Sequence, residues 1–232
     1  MLLFGMGLVL SSCQSSPAPT LPSELVPSHR LSGRILLQHL EEKHSGELDL
    51  LLRGEQVRLQ IFAPILGTLL YELRADSERL QVLNHRDRRY WSGANTEAHR
   101  RQWVGMDLTF SELQALLQGQ VPLLSQTEGV RQVSPEEPVV VTQGAVRFEG
   151  WHDDDHLTRV VKYLEELPEY EVTFLSYSEE PKPLPRRLRI EDEVGLSRIV
   201  LALTRSEKTV GLSSPIDFSI PEGLEPFAVP SG

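Results

Sequence analysis

Cysteine is almost absent: Cys13 is the only one in 232 residues. A single thiol can form neither an intrachain disulfide nor a multi-thiolate metal centre, so the body must be held by its core. A surplus of positive charge is missing too. Lys and Arg number 23 against 33 Asp and Glu, a formal charge of -10. That balance excludes the basic face that supplies most nucleic-acid affinity, and it disfavours spreading on anionic lipid by charge alone. No apolar run reaches the roughly 20 residues that cross a bilayer as a helix. There is also no Gly-x-Ser-x-Gly elbow, phosphate-cradling glycine loop or His-Glu-x-x-His helix. The expectation is a protein that is not an enzyme and carries no cofactor.

What is present begins at the N-terminus. Met1 to Leu10 is mostly apolar, matching the roughly 7–15 residues of a secretory signal's apolar region. It runs into Leu10-Ser11-Ser12-Cys13, which resembles a bacterial lipobox. The resemblance implies that residues 1–12 are a signal peptide and that Cys13 is the lipid-attachment residue. A second acyl chain would then hold the protein firmly on a membrane. Gln14 follows Cys13, not the Asp that retains such proteins in the inner membrane, so outer-membrane anchoring facing the periplasm is expected. No Lys or Arg precedes the apolar run, which points to a start upstream of Met1.

Residues 13–28, rich in Ser and Pro, read as the lipidated cysteine and a flexible tether. A single body is expected over 29–222 and a C-terminal tail over 223–232. From His29 the dominant period is two, with strands at Leu31–Leu37, Gly46–Arg53, Val57–Ile61, Leu69–Leu73 and Leu80–Leu83. Asn95 or Thr96 then caps one helix, and Thr109 or Ser111 caps a second with Leu113, Leu116 and Leu117 on one face. Strands return at Val139–Val141, Ala145–Phe148, Leu157–Leu164, Glu171–Tyr177, Arg187–Ile190 and Ser197–Leu203, and Phe218–Pro221 closes the ordered part. These short strands read as mainly β and suit an antiparallel meander, sandwich or barrel, with the two helices covering an opening of the sheet.

Particular residues carry a family resemblance. The series Leu31-Ser32-Gly33-Arg34, then Leu59-Gln60-Ile61-Phe62-Ala63-Pro64-Ile65-Leu66-Gly67-Thr68, then Arg89-Tyr90, the two-helix segment Asn95–Val121 and the closing strands resembles the outer-membrane lipoprotein receptor LolB. It places the chain with the LolA/LolB-like lipoprotein localisation superfamily. Two departures stand out: the Pro64–Gly67 turn has one residue more than the usual one, and Leu124–His156 is longer than its equivalent.

The resemblance implies an incomplete, LolA/LolB-like barrel around an apolar cavity that receives acyl chains of lipoproteins and delivers them to the outer membrane. It also implies acylated lipoproteins and a LolA-like periplasmic carrier as partners, and the chain is expected to be a monomer. Pro64, Ile65, Leu66 and Gly67 would form the membrane-insertion or transfer loop, with Leu66 at the protruding position. Leu48, Leu50, Leu59, Ile61, Leu201 and Leu203 would line the cavity from the strands, and Trp103, Leu113 and Leu116 from the helices. The competing reading is a tethered structural or interaction lipoprotein with a filled barrel. His152-Asp153-Asp154-Asp155-His156 has metal-ligating residue types but sits where a polar turn belongs, so no metal is expected. Arg86–Arg89 and His99–Arg101 are small basic islands, suited to lipid headgroups, an acidic carrier or plain solvation.

Overall fold

The computed structural model describes residues 26–123, 137–154, 156–179, 183–211 and 215–227. Cys13, the signal and most of the tether therefore lie outside the described residues, as does the 124–136 part of the long insertion. Thirteen strands form one sheet. The first six are β1 (Val26–His39), β2 (Glu42–Arg53), β3 (Gln56–Phe62), β4 (Leu69–Ala75), β5 (Arg79–Asn84) and β6 (Arg89–Ala94). Two helices follow, α1 (Glu97–Val104) and α2 (Phe110–Leu117). Then come β7 (Val139–Gln143), β8 (Val146–Asp153), β9 (His156–Leu164), β10 (Leu167–Tyr177), β11 (Pro185–Asp192), β12 (Ser197–Gly211) and the short β13 (Glu225–Pro226).

The strand order is β13-β6-β5-β4-β3-β2-β1-β12-β11-β10-β9-β8-β7. Every pair is antiparallel except β13 with β6. The sheet does not close, because β6 and β7 never pair; the helices occupy the connection between them. This is the open (incomplete), mainly β antiparallel barrel with a short-helix lid that the family resemblance implies.

Local chemistry sets the turns. Asp76 Oδ1 accepts from the backbone N–H groups of Glu78 and Arg79, and Asn84 Oδ1 accepts from that of Asp87, so two hairpin turns are held by side chains. Curvature has its own device. The register of β1 against β12 shifts at Ser32/Gly33, and a Cβ on Gly33 would collide with the Ala202 carbonyl. A bulge with glycine at its tightest point bends the longest strand and curls the sheet.

Alternation is strict where the concave face is buried. In β2, Leu48, Leu50 and Leu52 face inward with Val57 and Ile61 of β3, Ile35 of β1 and Leu201 of β12. Burying this many aliphatic chains contributes about 1.5–3 kcal/mol each before entropy is counted.

Two expected boundaries shift. β1 starts at Val26, inside the expected tether, because its first residues pair with the far end of β12. The ordered body also does not stop at Pro221. Residues 215–221 cross the outside of β3–β5: Ile216 N–H donates to Gln56 Oε1, Arg74 donates to the carbonyls of Asp217 and Ser219, and Gln81 donates to that of Phe218. The Arg79 guanidinium also sits 4.1 Å from the Phe218 ring centroid. The chain then pairs with β6 and reaches Phe227, whose N–H donates to Tyr90 O at 2.8 Å. The first part of the expected tail is thus an ordered strap.

Candidate functional site

The lid is built from two well-capped helices. Thr96 Oγ1 accepts from His99 N–H at α1, which ends at Gly105 with φ 86. At α2, Thr109 and Glu112 form a reciprocal capping box. Eight residues make a marginal helix in isolation, so packing and anchoring must supply the rest. In α2 that is the buried face Leu113, Leu116 and Leu117. α1 has no fully buried residue and holds through Trp103, half-buried against the core.

A buried ionic cluster fastens the lid to the sheet. Lys162 Nζ of β9 lies 2.8 Å from Glu112 Oε1 and donates to Asp107 O at 2.8 Å and to Asp107 Oδ2 at 3.2 Å. Arg100 of α1 donates to Asp107 Oδ1 at 2.7 Å and to Asn95, while Tyr170 OH donates to Glu112 Oε2 at 3.2 Å. Burial pushes the Asp107 carboxyl up, but Lys162 and Arg100 more than reverse this and hold it below the usual carboxylate range. Burial and the neighbouring Glu112 push the Tyr170 phenol well above its ordinary value, so it stays a donor. Of these residues pattern singled out only Asn95, as a helix cap, and Arg100, which turns inward from its basic island, while His99 bonds Ala94 O and the exposed Arg101 pairs with Glu97 and Glu169.

Between lid and sheet lies a cavity of about 310 Å³, at the lower end of the range for ligand pockets. Six expected wall residues line it: Leu50, Leu59, Ile61, Trp103, Leu113 and Leu201. Three do not. Leu48 and Leu116 pack into the core beside it, and Leu203 lies on a separate, more polar pocket of about 240 Å³ with Leu31, Leu117 and Arg205. The register shift of β1 against β12 lies just beyond Leu203, beside this second pocket. Leu37, Leu73, Val82 and Phe110 line the cavity as well; their alternation or helical position made them legible, though they were not chosen. Phe227 is different. It joins the wall from the C-terminal strap, its ring 5.2 Å from Trp103, which in turn lies 5.4 Å from Trp91. No sequence period announces it.

Polar lining residues gather at one end. His39, Glu42, His44 and Arg198 stand where β1 ends and β2 and β12 begin, and line that end of the cavity. His44 packs edge-on against Tyr71 at 5.3 Å.

The β3–β4 loop stands on the same rim. Ala63 N–H donates to Thr68 O and Gly67 N–H donates to Ala63 O, closing a tight loop in which Gly67 takes φ 61. Its tip carries Ile65 and Leu66, 94% and 81% exposed, beside exposed Pro64. The pair does not fold back over the barrel end. The other islands are quieter. His152, Asp153, Asp154 and His156 form the β8–β9 hairpin turn, with Asp155 outside the described residues. Among the described residues no three His, Cys, Asp or Glu side chains group as a metal site.

A family model described as outer membrane lipoprotein LolB matches residues 27–205, most of the chain. The chain belongs to the LolB family. The match takes in the cavity strands, both helices and the Pro64–Gly67 loop, but stops short of the strap and Phe227. No curated protein matches the sequence. Among solved structures, a DUF1329 family protein from Desulfovibrio piger superposes with TM-score 0.50 at 11% identity, covering 82% of this chain and 88% of its own, and shares the fold. A putative outer membrane lipoprotein-sorting protein domain from Vibrio parahaemolyticus aligns with TM-score 0.49 at 10% identity, over 80% of this chain and 87% of its own. A LolA superfamily protein from Nitrosomonas europaea gives 0.48 at 10% identity, over 81% and 87%. No helix among the described residues is long and apolar enough to cross a membrane.

Proposed function

We propose that this LolB-family protein binds acyl chains of lipoproteins in the lidded cavity and helps insert them into the outer membrane. The observation that carries the reading is about 310 Å³ of space walled by aliphatic and aromatic side chains in a chain of this family. An acyl chain in water costs about 0.8 kcal/mol per methylene, so a carrier needs an apolar enclosure and no covalent chemistry. The work is therefore transport, not catalysis. A barrel filled by its own side chains, the reading of a purely structural lipoprotein, is disfavoured by that unfilled volume.

Around this core the remaining assignments fall into place as parts of one proposal. Cys13 carries the lipid anchor after removal of residues 1–12, the tether spans the gap to the body, and a LolA-like carrier donates the cargo. Pro64, Ile65, Leu66 and Gly67 act as the transfer loop, since two aliphatic tips held in water cost stability unless they enter lipid. The test is a photocrosslinker replacing Trp103 in the full chain, incubated with an acylated lipoprotein. Crosslinks to the acyl chains are expected. A cavity that never labels them would end the reading. In cells that depend on this protein, Ile65→Glu together with Leu66→Glu should block lipoprotein delivery; unchanged delivery would remove the loop from the mechanism.

A further inference from the structure

The strand directions divide the turns between two rims. On one lie the β5–β6 turn, the β3–β4 loop, the β1–β2 turn, the β11–β12 turn, the β9–β10 turn and the β7–β8 turn, in that spatial order. Six of the seven exposed large hydrophobic residues among the described residues stand there: Leu40, Ile65, Leu66, Leu167, Val194 and Leu196. The seventh, Leu175, is towards the other end of β10. Among the described residues the opposite rim offers the β2–β3, β4–β5 and β8–β9 turns and the ends of the β10–β11 connection, and no exposed large hydrophobic residue tips any of them. The asymmetry is thus a property of the whole rim and not of one loop.

Leu40 is the most telling member. It is exposed, and it holds φ 53 in the left-handed region, where a Cβ is penalised and glycine would sit freely. A leucine there satisfies neither burial nor backbone preference. Its N–H donates to Leu196 O at 2.7 Å, clipping the β1–β2 turn to the β11–β12 turn. Behind the clip, His39 Nδ1 and Ser197 Oγ lie 2.7 Å apart, and Ser197 N–H donates to Asp192 Oδ1. Leu40, Val194 and Leu196 therefore ride on one stiffened unit. His39 and Arg198, next to that unit, line the polar end of the cavity.

We propose that Leu40 with Val194 and Leu196 forms a second bilayer-contacting prong, so that the cavity mouth opens onto lipid between this prong and the Ile65-Leu66 loop. The inference rests on the membrane reading of that loop. The occupant is a phospholipid bilayer: the apolar tips stand on neighbouring turns of one rim and can enter a fluid interface together, where binding grows with the apolar area buried. The exposed Arg86 and Arg88 on the flanking β5–β6 turn suit headgroup phosphates. Glu41 and Glu193 lie beside the second prong, so the basic turn, not this one, supplies the electrostatic attraction.

The test uses the full chain with Cys13→Ser, which lacks both the acyl site and the native thiol. Leu40→Cys, Leu66→Cys and, on the opposite rim, Glu78→Cys each carry an environment-sensitive dye. With vesicles of phosphatidylethanolamine and phosphatidylglycerol, the dyes at 40 and 66 should brighten and be quenched by nitroxide lipids, while that at 78 stays in water. Leu40→Gly with Leu196→Ser, the loop left intact, should weaken vesicle partitioning about tenfold or more; glycine suits the backbone at 40, so the fold is preserved. If 66 enters lipid while 40 stays wet, or the double variant partitions like its parent, the second prong is overturned and the loop reading stands. If neither dye enters, both fail. A dye at 40 that responds to a carrier protein and not to vesicles also overturns the proposal.

Discussion

Glu112 Oε1 and Lys162 Nζ lie 2.8 Å apart with both side chains buried, and this pair joins the lid to the sheet. Removing one partner leaves the other charged in a place with little water, which typically costs about 3–5 kcal/mol. Lys162→Ala is therefore expected to lower the unfolding free energy in urea by that order. Glu112→Gln should cost less, because the amide can still accept from Thr109 N–H and keep the capping box. Hydrogen exchange adds the local test. Amides of α1 and α2 should lose protection in Lys162→Ala before those of β1 and β12 do; equal loss everywhere would mean the pair serves the whole fold and not the lid.

The acid response of the lid follows from Asp107. Its folded value lies below the unfolded one of about 3.9, so its contribution is complete above that pH and lost as pH falls through the folded value. Stability drawn from this group should be level from neutral pH to about 5 and decline only below about 4. Asp107→Asn should lower stability at neutral pH and remove part of the acid decline. Chemical unfolding at neutral and acid pH measures both. An acid decline equal to the parent's would show that Asp107 is not the group responsible.

What was legible in the sequence is what has a period. Leu48-Leu50-Leu52 and Leu59-Ile61 announced inward faces, and Thr109 or Ser111 ahead of Leu113, Leu116 and Leu117 announced a helix start, because alternation and capping are local rules. The exposed loop was legible through its punctuation, Pro64 before and Gly67 after two aliphatics. Distance along the chain hid the rest. Lys162 meets Glu112 from 50 positions away, and Phe227 reaches Trp103 across most of the sheet; nothing in their own neighbourhoods marks either contact. The split of Leu203 from Leu201 was hidden for another reason: both point inward on β12 two residues apart, and alternation alone assigns them to one wall although they line different pockets.

The strap makes its own prediction. β6 would be a bare edge without β13, and a bare edge is a template for pairing with another chain. A chain ended after Pro221 loses β13 and Phe227 and should therefore self-associate, seen as a concentration-dependent shift in size-exclusion chromatography. Phe227→Ala keeps the backbone pairing with β6 and removes only the ring. It should stay monomeric and lose about 1–2 kcal/mol, less than full burial of a phenylalanine would give, since the ring is half-exposed. A truncated chain that remains monomeric at high concentration would show that β6 needs no cover.

Filling the cavity separates binding from folding. Leu59 lies on β3, half-buried, with its side chain on the cavity wall. Leu59→Trp adds bulk into about 310 Å³ of space that no side chain occupies. Overpacking in a tight core costs about 1–3 kcal/mol, but here the added ring meets unfilled volume, so the stability change should be under about 1 kcal/mol in either direction. An acyl chain would compete with that ring for the same room. A fluorescent fatty acid should accordingly bind the variant at least about tenfold more weakly, since displacing two or three buried methylenes is worth about 1.6–2.4 kcal/mol. The control is Arg58→Trp, one residue away on the outer face of β3, which should leave binding unchanged. Equal weakening in both variants would place the bound chain elsewhere, and unchanged binding in Leu59→Trp would show that acyl groups do not use this cavity.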